Sequence, residues 1–134
     1  MRYLLLIYGN ETEYAQRSQE ALADEYQRYA TFTNEVRERG VLLSGEALMP
    51  THMATTIRVR NSQTLTTDGP FAETKEQLGG LLILEARDLD HAIQLMSKHP
   101  GVKVGPFEIR PAADLSEMIR DSEQRRGKGG RSAG

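Results

Sequence analysis

Asp68, Glu73, Lys75 and Glu76 crowd into the segment Asp68 to Glu76, immediately ahead of the apolar run Leu81-Leu82-Ile83-Leu84. Carboxylates and a cation beside a hydrophobic strand are what proton transfer on a bound small molecule requires. In that reading Asp68 is a general acid/base, Lys75 holds a carboxylate or phenolate, and Glu73 or Glu76 steers it. The same residues also suit a plain turn. The Asp68 carboxylate can bond backbone N–H groups just ahead of it, Gly69 can take φ > 0, and Pro70 fixes its own φ. Lys75 and the glutamates can equally form a solvated turn with local charge pairs.

Further candidates lie outside this segment. Arg58 and Arg60 alternate with Ile57 and Val59. If the apolar pair faces the helices, Arg58 meets the cavity side and can clamp an anionic substrate. The competing readings place Arg58 at a dimer rim or against Asp68. Tyr8, at the end of the first apolar run, points into the same cavity or packs in the core. His52, in a loop, either closes over the cleft or is solvated. His52, His91 and His99 show no HxH or HExxH spacing, so no metal site is expected. Gly79-Gly80 is followed by no GxGxxG or GKS/T pattern, which favours close packing or a bulge over a phosphate loop, and no cofactor is expected.

Composition narrows the function classes. There is no cysteine, which excludes structural disulfides, thiolate zinc sites and cysteine nucleophiles. A formal net charge of -2 with 27% charged residues argues against a nucleic-acid or membrane surface. The apolar run Tyr3 to Tyr8 is too short for a signal or spanning segment and has only Arg2 ahead of it. A cytoplasmic protein is the expectation. With 134 residues, one domain can bury a core without cross-links.

The elements that must position these residues follow from patterning. Residues 2–8 read as a strand apolar on both faces, ended by Gly9 and Asn10, and the polar segment Glu11 to Arg17 as a connection. Ser18 is the expected N-cap for a long helix over about residues 18–39, with Leu22, Tyr26, Tyr29 and Val36 on its core stripe, Phe32 beside them, and Gly40 as its C′ residue. Val41 to Ser44 is a second strand. Ala54 to Arg60 and Leu65 to Thr67 form a hairpin about Asn61-Ser62. Leu81 to Leu84 is a central strand. Asp88 caps a second helix in which Leu89, Ala92, Ile93 and Met96 face the core, and Phe107 to Arg110 is the last strand between Pro106 and Pro111. From Ala112 onward the pattern gives one short helix, then a Gly-rich basic end that should be disordered from Arg125.

This order is α+β: a ferredoxin-like βαββαβ pattern with an inserted hairpin, both helices on one face of an antiparallel sheet. Leu4, Leu6 and Tyr8 share one side of the first strand, and Leu81 to Leu84 is apolar on both. A bare second face would be an exposed hydrophobic patch. Two sheets packed across a two-fold axis would bury it, so a homodimer is expected, with a small-molecule cavity between or beside the sheets.

The run Asp68-Gly69-Pro70-Phe71-Ala72-Glu73-Thr74-Lys75-Glu76-Gln77-Leu78-Gly79-Gly80 resembles the signature of the DGPF-domain proteins, a branch of the YCII-related family. Tyr3 to Tyr8, Gly40, Ala54-Thr55-Thr56-Ile57-Arg58, Asp88 to Ala92 and Glu108 to Pro111 support the resemblance, which covers residues 1–112 and leaves 113–134 outside. It implies a dimeric α+β barrel of ferredoxin-like subunits. Relatives in the wider family include a dehydrochlorinase of chlorinated hydroxyquinone breakdown, and a His/Asp pair has been suggested as an active site in some members. None of His52, His91 and His99 sits in the shared loop. Many DGPF members resemble proteins encoded beside extracytoplasmic-function sigma factors, which implies a possible sigma-factor association.

Two functional expectations result. One is a small-molecule enzyme using Asp68 as acid/base in a cleft, with Arg58, Lys75, Tyr8 and His52 around an anionic or phenolic ligand; it requires a water-lined pocket reaching Asp68. The alternative is a non-catalytic ligand-binding or regulatory module linked to a sigma factor, with Asp68 locked in backbone hydrogen bonds. A purely structural dimer is the third.

Overall fold

The computed structural model describes residues 1–133, with side chains described as far as Gly127. In chain order the elements are β1 (Arg2–Gly9), α1 (Glu11–Ala15), α2 (Gln19–Glu38), β2 (Leu42–Ala47), β3 (Thr55–Arg60), β4 (Gln63–Asp68), β5 (Gln77–Glu85), α3 (Leu89–Met96), β6 (Phe107–Pro111) and α4 (Leu115–Ala133). Four strands form one sheet in the order β2-β5-β1-β6, and β3 and β4 form a separate two-stranded sheet. Every pairing is antiparallel. The protein is therefore α+β.

Strand alternation decides which side is buried. Tyr3 and Leu5 of β1 and Leu82 and Leu84 of β5 join Phe32 and Val36 of α2 and Ala92, Leu95 and Met96 of α3 in one core. Leu5 and Leu84 are completely buried, and truncating either to Ala would cost roughly 2–5 kcal/mol. On the opposite side of the sheet, Leu4 pairs with Ile83, Leu6 with Leu81 and Tyr8 with Leu78, all half-buried. The helical residues of the core all lie on the first side. α1 buries no residue, and every described side chain of α4 is exposed.

Long-helix boundaries follow local chemistry. The Ser18 side chain accepts from the Ala21 N–H at the start of α2, and Gly40 ends it at φ 75, a left-handed conformation open to glycine at little cost. Asp88 caps α3 through the His91 N–H.

Four expectations ahead of the C-terminal segment need correcting. The segment Glu11 to Arg17 is not merely a connection: Asn10 accepts from the Thr12 and Glu13 N–H groups and nucleates α1. In the first half of α2 the core position falls on Glu25 and Tyr26 is exposed, because Glu25 finds polar partners that offset its burial. On α3, Leu89 and Ile93 are exposed and Leu95 takes the core position. Ile57 and Val59 do not face the helices; both are 67% exposed, because their hairpin pairs only with itself.

At the C-terminus α4 occupies positions where composition predicts a short helix and a disordered end. The Asp114 carboxylate accepts from the Glu117 N–H at 3.1 Å, and good helix formers dominate as far as Arg126. Gly134 lies outside the described residues.

Candidate functional site

The hairpin is a long, regular arm. Its six cross-strand pairs run from Thr55↔Asp68 to Arg60↔Gln63 without a register shift. Asn61 and Ser62 turn it with φ of 51 and 62, the left-handed pair that matches the twist of the flanking strands. Directly opposed residues share a face. Asp68, Thr55, Ile57 and Val59 therefore occupy one side of the arm, and Thr56, Arg58 and Arg60 the other.

The loop after Asp68 is held from the second side. The Gly69 N–H donates to the Ala54 carbonyl at 2.7 Å, and the Thr56 hydroxyl donates to the Gly69 carbonyl at 2.8 Å. Arg58 Nη2 makes a longer contact of 3.4 Å to the Phe71 carbonyl. Farther on, Gln77 Nε2 donates to the Thr74 carbonyl at 2.7 Å. Asp68 itself is exposed, and among the described residues its carboxylate accepts no hydrogen bond. The turn is specified by Gly69, Ala54 and Thr56.

The other predicted site residues divide between the arm and the end of the main sheet. Tyr8 pairs with Leu78, at the point where the loop re-enters the sheet as β5. Lys75 is exposed two positions before β5. His52 is exposed in a 3-10 turn, Thr51–Met53. That turn is tied to the same sheet end: Glu11 accepts from the Thr51 N–H at 2.8 Å and hydroxyl at 2.7 Å, while the Glu11 N–H donates to Gln77 Oε1 at 2.9 Å. The segments that carry Tyr8, Lys75 and His52 thus lead to the same end of the sheet. Arg58 is engaged with the loop backbone rather than with Asp68.

Sequence reasoning missed Thr56, Glu11 and Thr51. Their partners lie 13 and 40 positions away, so no local spacing announces them. It also missed two buried polar groups. Glu25, 8% exposed, accepts from Tyr29 at 3.0 Å and Tyr14 at 3.5 Å and pairs with Arg17, whose guanidinium lies 4.4 Å from the Tyr14 ring centroid. Burial works against the Arg17 charge, but the bond to Glu25 and its charge prevail and raise the Arg17 pKa. Tyr29 is also raised, first by burial and then by its Tyr14 and Glu25 neighbours. The spacing Leu22, Glu25, Tyr29, Phe32, Val36 was the available signal, since it fits a core stripe better than one passing through Tyr26. His99, 3% exposed, packs 4.9 to 5.0 Å from the rings of Tyr29, Phe32 and Phe107 and accepts the Gly101 N–H. Burial lowers its pKa to about 4, which keeps it neutral. Both groups sit on the helix-covered side and serve the core.

An antiparallel sheet with its helical core on one side and an arm carrying an unengaged carboxylate defines an α+β protein with a candidate acid at an exposed strand end. The model of the YCII-related domain matches residues 1–116, and the chain belongs to that family. An uncharacterised protein of Rhizobium meliloti is 33% identical over 117 residues, covering 84% of this chain and 93% of that protein. Among solved structures, 5-chloro-2-hydroxyhydroquinone dehydrochlorinase from Burkholderia phenoliruptrix, in complex with 2,5-dihydroxybenzoquinone, is similar at a TM-score of 0.51. It is 14% identical, with 84% of this chain and 94% of that chain covered. At that identity the likeness is one of fold. No helix among the described residues is long and apolar enough to cross a membrane.

Proposed function

We propose that the protein is a small-molecule enzyme of the DGPF branch, cytoplasmic, in which Asp68 is the acid/base acting on a phenolic or otherwise anionic ring compound. One observation carries this reading: the Asp68 carboxylate is exposed and unengaged, although the turn around it is fully built by other groups. A carboxylate needed only for an Asx turn would be spent on the backbone. Free, it can take the proton of a substrate hydroxyl, leaving a phenolate for Lys75 to balance and for Tyr8 or His52 to bond. The fold neighbour's quinone ligand suggests the class of compound to try.

The strand order β2-β5-β1-β6 with α2 and α3 on one side supports a ferredoxin-like subunit. The apolar second side, Leu4, Leu6, Leu81 and Ile83, supports pairing of two such sheets as a dimeric α+β barrel. In that assembly the sheet end bearing Tyr8 lies beside the interface.

A second reading is favoured by Phe71, which is 80% exposed on a loop whose backbone is pinned. Holding an aromatic in solvent suits a docking contact, and a sigma factor is the partner in that case.

Thermal shift of wild type and Asp68→Asn with 2,5-dihydroxybenzoquinone, small phenols, quinols and carboxylates separates the readings. Stabilisation of the wild type alone supports the enzyme and justifies a turnover assay. Equal shifts in both proteins, or none in either, reject Asp68 as the working group.

A further inference from the structure

We propose that α4 is a self-association helix: its apolar face pairs antiparallel with α4 of a second copy, and Arg125 closes on Asp114 of the partner subunit. The inference is independent of Asp68. It concerns a segment almost wholly outside the family domain, which ends at residue 116.

The Ala112 N–H donates to the Arg2 carbonyl at 2.9 Å, which pins the chain to the sheet just before α4 begins. Beyond that point every described side chain of the helix is exposed. A 19-residue helix with three glycines in its second half is marginal in water without packing, since each glycine costs about 1 kcal/mol relative to alanine. The packing face is present. Leu115, Met118 and Ile119 are all exposed, and their spacing of three and four sets them on one side of the helix, which Ser122 and Arg126 continue.

The charges bordering that face point to a second copy of the same helix. Asp114 and Asp121 lie along one flank early and Arg125 lies on the same flank late. Among the described residues none of the three makes an ion pair. Asp114 Oδ1 accepts the Glu117 N–H, and its second oxygen is left for a guanidinium. Acids first and bases last also suit the helix dipole, but the dipole is indifferent to the face that carries them. Reversed against itself, the helix brings its late base to an early acid, and a two-fold axis makes both contacts at once. With Arg125 beside the partner's Asp114, Met118 falls opposite the partner's Ser122, where a small side chain leaves room. The Arg126 stem then covers the partner's Leu115. Met118, Asp121, Ser122, Arg125 and Arg126 already line one hollow in the single protomer. An anionic membrane suits this face less well, because Glu117, Asp121 and Glu123 fall in the first half of the helix.

Single spin labels test the pairing, and the cysteine-free chain accepts them one at a time. Positions 116 and 124 lie on the outer side of α4, away from the pairing face. Full-length Ser116→Cys mixed with full-length Gln124→Cys should give a short inter-label distance, because the two positions come level in the antiparallel pair. Either label paired with itself should give a longer one. Distance is read rather than mass, since pairing through the sheet would also make a dimer. Arg125→Glu should weaken the helix pairing about tenfold, and Arg125→Lys should retain it. Absence of the short distance in the mixture overturns the pairing. A shorter distance for each label with itself makes the helices parallel and overturns the Asp114 contact, as does wild-type pairing in Arg125→Glu. If the labels respond only to phosphatidylserine vesicles, the face binds a membrane surface and the proposal falls.

Discussion

Asp68 and Arg58 lie on opposite faces of the same hairpin, Asp68 across from Thr55 and Arg58 across from Leu65. They neither pair nor share a surface, although they stand only ten positions apart in the chain. The arrangement places the exposed Asp68 carboxylate and the side chains that hold its loop on different faces of the arm.

The two should therefore act independently on stability. In a double-mutant cycle of Asp68→Ala and Arg58→Ala read by urea denaturation, the coupling should stay below about 0.5 kcal/mol. A larger coupling would place the two side chains in contact in solution.

Breaking the Arg17–Glu25 pair should be among the costlier polar changes. Removing Arg17 strands a carboxylate that Tyr29 still bonds, and the pair is only partly enclosed. Arg17→Met should lose about 2 kcal/mol, less than the ~3–5 kcal/mol of a fully buried pair. Equilibrium unfolding measures it, and loss of α1 helicity should accompany the change.

His99 makes stability depend on pH in a defined direction. Its folded pKa of about 4 lies below the ordinary 6.5, so on acidification the unfolded chain takes the proton first. The contribution is complete above pH 6.5 and is lost as pH falls towards 4, up to about 3 kcal/mol. The slope of unfolding free energy between those limits should flatten in His99→Phe, whatever the absolute stability of the variant.

Gly105 permits the approach of β1. A Cβ there would come within 2.1 Å of the Tyr8 carbonyl, whose own N–H donates to Pro106 at 3.1 Å. Gly105→Ala should cost about 1–3 kcal/mol through backbone displacement, visible as a lower Tm. Unaltered stability would show that the chain at this crossing yields without cost to the 2.1 Å approach.

If the second side of the sheet is an interface, a charge at its centre should abolish association. Leu6→Lys should run as a monomer in light scattering while wild type runs as a dimer, with unchanged far-UV dichroism. A wild-type monomer, or a dimer in both, assigns the face elsewhere.

The sequence alone carried the α+β class, the long helix with its Ser18 cap and Gly40 stop, the Asp88 cap and the hairpin about Asn61-Ser62, because periodicity, caps and turns are written in neighbouring residues. The signature loop was likewise legible as a segment. Tertiary structure decided which groups that segment uses. The Thr56–Gly69 hydrogen bond joins residues 13 apart and the Glu11–Thr51 tie residues 40 apart, and such partners are chosen by strand register and chain crossing. For the same reason Glu25 replaced Tyr26 in the core: helical spacing admits both, and only the positions of Arg17, Tyr14 and Tyr29 make burying the carboxylate the lower-energy choice.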